Sequence, residues 1–471
     1  MLNSTTSIDG YSWPGPFQPF DHQKETTEFI VANHRGFVFN DMGTGKTASL
    51  LWAADYLMSV GDVGRLLIVA PLSTIKRVWL DESFQLLMHR NTVLLYGPSA
   101  KRREKYEQSN WEIGIINFDG VKILKDLIED DIKSGRLDMI AIDEATEYRN
   151  SQTKKYQTMK KLADRVPRLV QMTGAPCPEA PTDAYGLAHL QGNTSIPKFF
   201  GAWRRRTMLK VGEFQWVPRP DGFQQAFQVL QPAIRFRKED CVDLPPVTYE
   251  QWEVELSSEQ KSAYKTMQKK MAIEFADEGD QLPAVNAADK INKLRQIACG
   301  VVKDTGTGEY VLLDYKPRLR AVLAAIEQAD AKVVVAVPFK GIIKQLAHDV
   351  GQLYTTEYIN GDVSSKQRDD IITRFRQTSD PHVLMVHPKT MSHGITLVEA
   401  DVMVIYAPIY SNDQATQIEN RINRPGQTRS MTIVQLGASA MEWSIYHSTE
   451  MKAQGEAMLL EMYKQAMQEK V

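Results

Sequence analysis

The chain has 471 residues, 43% hydrophobic and 24% charged, a composition that fits a folded protein of two or three domains and excludes an intrinsically disordered one. Fifty-six basic against 58 acidic residues leave a formal net charge of −2, so a nucleic-acid partner could be met only through a local patch. Cys177, Cys241 and Cys299 lie far apart without paired spacing, which argues against a disulfide scaffold or a zinc site. Apolar runs such as Leu66–Ala70 and Val333–Val337 stop well short of the ~20 residues of a membrane span. Met1–Thr6 carries no secretory pattern, so a cytosolic protein without a membrane partner is expected.

Gly36–Phe39 predicts a buried strand running into a glycine-rich turn and the helix Ala48–Val60. Leu66–Ala70, Val93–Tyr96, Ile113–Asn117 and Met139–Ile142 continue the series of short apolar strands with helices between several of them, the rhythm of a parallel α/β layer. From about 183 to 313 that rhythm yields to helical periods with aromatic and basic residues. Pro218–Gly222 and Leu244-Pro245-Pro246 interrupt them, since proline cannot continue a helix. The lobe boundary is expected within Lys238–Pro246. One lobe then covers 1–237, with a helical insertion at about 183–237, and a second covers 238–471, opening with a helical or linker region at about 246–313. Asp304–Gly308 reads as a surface hairpin or loop. Strands return at Val333–Val337, Tyr358–Asn360, Val383–Val386 and Val402–Tyr406, with helices Gly341–Val350 and Lys366–Gln377, and Met451–Val471 closes the chain as a helix rich in Met and Lys. The fold class is α/β.

The most informative segment is Asn40-Asp41-Met42-Gly43-Thr44-Gly45-Lys46-Thr47, between a strand and a helix, the context a phosphate-binding loop requires. Backbone N–H groups of Gly43, Thr44 and Gly45 converge on phosphate oxygens, Lys46 reaches the terminal phosphates, and the Thr47 hydroxyl ligates Mg²⁺. The pattern departs from GxxxxGK[ST] at its first position, where Asn40 replaces Gly. About 100 residues on, a predicted strand ends in Asp143-Glu144, where α/β proteins hold ligands; Asp143 would hold Mg²⁺ and Glu144 would orient and deprotonate water. Arg421 and Arg424, three apart on one helix face, suit the charge that develops on a transferring phosphoryl group. ATP and Mg²⁺ are the implied substrate and cofactor.

In this order the residues resemble helicase superfamily two, and in detail the Swi/Snf-related ATPases. The resemblance runs from about Pro19 to Gln427. It implies two RecA-like parallel-sheet lobes with helical insertions between them. Gln23 in Pro19–Gln23 is similar to the glutamine that reads adenine in such proteins. Ser73, in Val69–Ile75 followed by Trp79, is similar to the motif that touches the DNA backbone, and Asn117 in Ile116–Phe118 to the next DNA-contacting strand end. Met172–Pro176 resembles the motif that couples hydrolysis to lobe movement. Arg235–Lys238, Leu244-Pro245-Pro246 and Leu294–Ile297 resemble the central landmarks of the Swi/Snf type; Ser392–Leu397 and Gln417–Gln427 resemble its last two motifs.

Arg204-Arg205-Arg206, after Phe199-Phe200 and Trp203, is the basic cluster best placed to grip a phosphate backbone or stack on a base, and such contacts position without reading sequence. The resemblance implies an ATP-dependent DNA translocase or helicase acting on duplex, forked or branched DNA in replication, recombination or repair. An RNA-dependent ATPase and a nucleotide-binding scaffold that recruits a DNA-processing partner are the alternatives; the sequence does not identify a protein partner.

Overall fold

The computed structural model describes residues 8, 10–108, 110–212, 215–241, 244–278, 284–303, 308–390 and 395–468. The chain divides into two compact units, the first comprising Met1–Val211, Trp216–Asp243 and Ala453–Val471, the second Gly212–Gln215 and Leu244–Lys452. The C-terminal segment, which the sequence suggested keeping with the second lobe, thus packs with the first. Leu459 is buried in the first unit's core, and Glu456 accepts the Cys177 N–H at 3.3 Å. No helix among the described residues is long and apolar enough to cross a membrane.

The strands of the first unit are β1 (Arg35–Val38), β2 (Leu66–Ala70), β3 (Thr92–Leu94), β4 (Ile113–Asn117), β5 (Met139–Asp143), β6 (Arg168–Met172), β7 (Met208–Lys210), β8 (Trp216–Pro218) and β9 (Ala233–Ile234). Seven form one sheet in the order β3-β4-β2-β5-β6-β1-β9, parallel throughout; β7 and β8 pair as a separate antiparallel hairpin. An all-parallel sheet needs cover on both faces, and the apolar runs supply it by simple alternation. Leu67, Val69, Ile140 and Ile142 enter one core; Leu66, Ile68, Ala70, Met139 and Ala141 enter the other.

The second unit carries β10 (Val247–Glu253), β11 (Val301–Lys303), β12 (Tyr310–Leu312), β13 (Lys332–Ala336), β14 (Thr356–Ile359), β15 (Val383–Val386), β16 (Ala400–Ile405) and β17 (Met431–Gly437). Six of these form a parallel sheet in the order β10-β17-β16-β13-β15-β14. Val333 and Val335 face one core, Val334 and Ala336 the other. The region read as helical or linker at 246–313 therefore begins with an edge strand. Val247–Glu253 has no apolar run: Val247, Glu250 and Trp252 are half-buried and the other four residues are exposed, while β17 pairs it along one edge. β11 and β12 form an antiparallel pair, and the expected loop between them falls at 304–307, outside the described residues.

Candidate nucleotide and nucleic-acid sites

Strand register builds the nucleotide site. Val38, the last residue of β1, pairs with Met172 of β6, and Met172 pairs with Asp143 of β5, so three neighbouring strands end level. The loop after β1, Thr173-Gly174 after β6 and Glu144 after β5 therefore leave the sheet at one edge, the C-terminal edge where open α/β sheets bind ligands. The Thr173 N–H donates to the Val38 carbonyl at 3.1 Å, closing the row.

The loop leads into the helix α2 (Lys46–Ser59) and follows the helix α1 (Asp21–Ala32) and β1. Gly43 and Gly45 have φ of 86° and 79°, a conformation that costs glycine nothing. Gly45 is doubly required, since a Cβ there would come within 2.0 Å of Gln23 Nε2. Gln23, buried on α1, accepts the Phe20 N–H at 3.0 Å and donates to the Thr44 carbonyl at 3.5 Å, and His22 Nε2 lies 2.8 Å from the same carbonyl. The expected adenine reader is thus also the strut that holds α1 against the loop. Half-buried Lys46 donates from Nζ to the carbonyls of Asn40 and Asp41 at 2.8 and 3.1 Å. Burial lowers its pKa, opposed by the charges of Glu144, Asp143 and Asp41 and reinforced by Arg235. Thr47 follows in the first turn of α2, where backbone N–H groups and the helix dipole favour anions.

Asp143 accepts Trp79 Nε1–H at 2.9 Å and the Glu144 N–H at 3.1 Å; burial raises its pKa against the Trp79 hydrogen bond and the nearby Lys46 charge. Glu144 has φ 52° and ψ 55°, a left-handed conformation that costs a side-chain-bearing residue ~1–3 kcal/mol. Among the described non-glycine residues it is the one with positive φ, and it stands where the base was expected. The indole bond is a role that sequence reasoning missed. In sequence Trp79 stands only beside the DNA-backbone motif; in the structure it is fully buried and its N–H fixes Asp143. The donor set suits Mg²⁺, which takes one or two carboxylates and completes its shell with phosphate and water. Asp143 and Thr47 offer hard oxygens, and no group of three or more His, Cys, Asp or Glu among the described residues forms a protein-only cage.

In the second unit, Arg421 lies on the helix Asn412–Ile422 and Arg424 two residues beyond it. Their Nη1 atoms each donate to the Ile395 carbonyl at 3.4 Å, so the two guanidiniums converge on one point. Ser392, His393 and Gly394, just before it, lie outside the described residues.

Residues 22–301 match the SNF2-related domain, and residues 317–426 the helicase conserved C-terminal domain. The chain belongs to the SNF2-related family. An uncharacterized ATP-dependent helicase of Mycoplasma genitalium is 24% identical over 429 residues, covering 88% of this chain and 39% of the relative. Human chromodomain-helicase-DNA-binding protein 7 is 25% identical over 457 residues, covering 88% of this chain and 15% of the relative. The chain thus spans well under half the length of these curated relatives. Among solved structures it is similar to the SWI2/SNF2 ATPase core of Sulfolobus solfataricus, in complex with dsDNA and as the core domain alone. The TM-scores are 0.44 and 0.43 and the identities 19% and 18%, with 93% of this chain covered in both and 92% and 88% of theirs. Each unit of this SNF2-related chain is built on one parallel α/β sheet.

Of the expected nucleic-acid residues in this SNF2-related chain, Ser73 lies half-exposed in the turn after β2. Asn117 ends β4 but is buried, and its side-chain oxygen accepts Arg102 Nη1–H at 2.8 Å. Arg204, Arg205 and Arg206 are all exposed on the helix Phe200–Thr207. The Arg204 guanidinium lies 4.3 Å over the Trp216 ring and that of Arg206 5.7 Å from Trp203, while Phe199 beside them is 71% exposed. Arg102 and Arg103, in another basic cluster, are engaged internally, Arg102 with Gly97 and Asn117, Arg103 with Asp126.

Proposed function

We propose that this SNF2-related ATPase is an ATP-dependent DNA translocase or helicase that moves on or remodels duplex, forked or branched DNA without reading its sequence. The level ending of β1, β6 and β5 carries the reading, because it brings the charges of Lys46, Asp143 and Glu144 together at one edge of the sheet. Gly43, Thr44 and Gly45 cradle the phosphates through backbone N–H groups, Lys46 turns its ammonium to the β- and γ-phosphates, and Gln23 reads the base. Thr47 and Asp143 would hold Mg²⁺, which would supply charge neutralisation for the phosphates when bound. Glu144 orients the attacking water and takes its proton as the bond to the γ-phosphorus forms and the bond to the β-γ bridging oxygen breaks. Arg421 and Arg424 stabilise the charge that accumulates in between. Hydrolysis is thereby tied to lobe closure, and alternating closure and opening advances the protein along DNA. Ser73, Asn117 and Arg204–Arg206 are the candidate backbone contacts, with replication, recombination or repair as the setting.

Steady-state hydrolysis with duplex, forked and single-stranded DNA and with RNA tests this, with Lys46→Ala as blank. Stimulation by duplex or forked DNA is expected. Stimulation by RNA alone would reassign the polymer, and no hydrolysis with any polymer would leave a nucleotide-binding scaffold.

A further inference from the structure

The first two residues of the phosphate loop are occupied by something other than phosphate. Asn40 is 1% exposed; its Nδ2 donates to Thr26 Oγ1 on α1 at 2.8 Å, and its Oδ1 accepts the Phe236 N–H at 3.0 Å. Asp41 accepts Arg235 Nη2–H at 2.6 Å on one carboxylate oxygen and the Lys238 N–H at 2.9 Å on the other. The main chain joins in, with Phe39 N–H donating to Ile234 and Asp41 N–H to Phe236, while Arg235 Nη1 donates to the Phe39 carbonyl at 2.7 Å. Phe39, Asn40 and Asp41 and four residues nearly two hundred positions away, Ile234, Arg235, Phe236 and Lys238, are therefore bound by side chain and main chain together. Residues 235–238 stand a few positions before the chain leaves the first unit, which it does at Asp243.

The ammonium that would serve the phosphates holds the same two loop residues from the other side, through the carbonyls of Asn40 and Asp41. The ammonium has three donors and two are committed to these carbonyls, so contact with both β- and γ-phosphate oxygens takes at least one of them away. We propose that Asn40 and Asp41 form a relay, with Asn40 as a positioning residue, that converts engagement of phosphate by Lys46 into loosening of residues 235–238, the segment leading to the second unit. This rests on Lys46 being a phosphate ligand, as the proposed function has it. The relay explains why a buried asparagine occupies the position where a phosphate loop can carry glycine. Glycine would supply the turn but neither the donor to Thr26 nor the acceptor for Phe236.

The Phe236 and Lys238 amides are direct reporters, read by hydrogen–deuterium exchange of the peptide 233–241 in the full chain, with and without Mg²⁺ and ADP or a non-hydrolysable ATP analogue. Ligand binding generally slows exchange, so the expected signal has the opposite sign. The 235–238 amides speed up by ~3-fold or more while the rest of the first unit slows. Lys46→Ala should show the fast exchange without nucleotide. Asn40→Ala should exchange fast in both conditions and lose the nucleotide response, whereas Asn40→Asp, which keeps the acceptor for Phe236, should retain it. Slowing of 235–238 together with the rest of the unit, or slow exchange in Lys46→Ala, overturns the relay. Nucleotide binding is measured separately by calorimetry. A wild type that binds none contradicts the proposed function, and the Lys46→Ala comparison still decides the relay.

Discussion

Both sheets are parallel, both are covered on two faces by alternating apolar residues, and yet their strand ends offer different chemistry. In the first unit, β1 runs into a loop with two left-handed glycines and a lysine, and β5 runs into an aspartate followed by a left-handed glutamate. In the second unit, β13 and β15 end toward Val337-Pro338 and His387-Pro388, with no glycine turn or acid pair at those positions; its cations sit on and just past the helix Asn412–Ile422. The comparison teaches that one layer architecture was put to two uses. The first unit carries the proposed phosphate site at its strand ends, and the second carries the proposed arginines on and beside a helix.

The division is broken most directly at its charges. Glu144→Gln, and separately Arg424→Lys, should each lower DNA-stimulated hydrolysis by ~10³-fold while nucleotide still binds by calorimetry. A lysine that restores the rate would mean that Arg424 acts as a plain charge rather than as a planar clamp. Trp79→Phe keeps the ring and removes one N–H, so Asp143 loses its orienting partner. A ~10–100-fold loss with a raised Mg²⁺ requirement is expected, read from rate against Mg²⁺ concentration.

Smaller effects separate the surfaces. Arg204→Ala with Arg205→Ala should weaken duplex binding by ~3–10-fold and flatten the salt dependence by ~1–2 in slope, measured by fluorescence anisotropy across salt concentrations. In the second unit, burial and the charges of Lys389 and Lys340 hold the His387 pKa below its ordinary 6.5, outweighing a hydrogen bond to Pro338. The unfolded chain therefore binds a proton that the folded unit resists. Its stability is full above 6.5 and falls as pH drops from there toward the depressed value. A ~1–3 °C loss in that window, absent in His387→Gln, is the smallest effect expected.

How much of this was legible in the sequence follows from distance along the chain. The loop at Asn40–Thr47 and the pair Asp143-Glu144 are local patterns beside apolar strands, so both were read directly, as were β2, β4 and β15 to the residue. β10 and β17 were not read as strands, because Val247–Glu253 has no apolar run and is mostly exposed, and Met431–Gly437 mixes Thr and Gln into its run. β6 hides behind Arg168 and Gln171, which are buried by their hydrogen bonds to Val31, Leu187 and Gln191 rather than by apolarity. Trp79 with Asp143 and Asp41 with Arg235 are pairs 64 and 194 positions apart, and nothing local announces either.

The central claim is that the first unit hydrolyses ATP in response to DNA and that the second unit's arginines are required. The most direct test is one hydrolysis measurement on wild type, Lys46→Ala and Arg424→Ala, each with saturating duplex DNA and without it. The account predicts strong stimulation in wild type and none in either variant. An Arg424→Ala protein that keeps the full DNA-stimulated rate would contradict it.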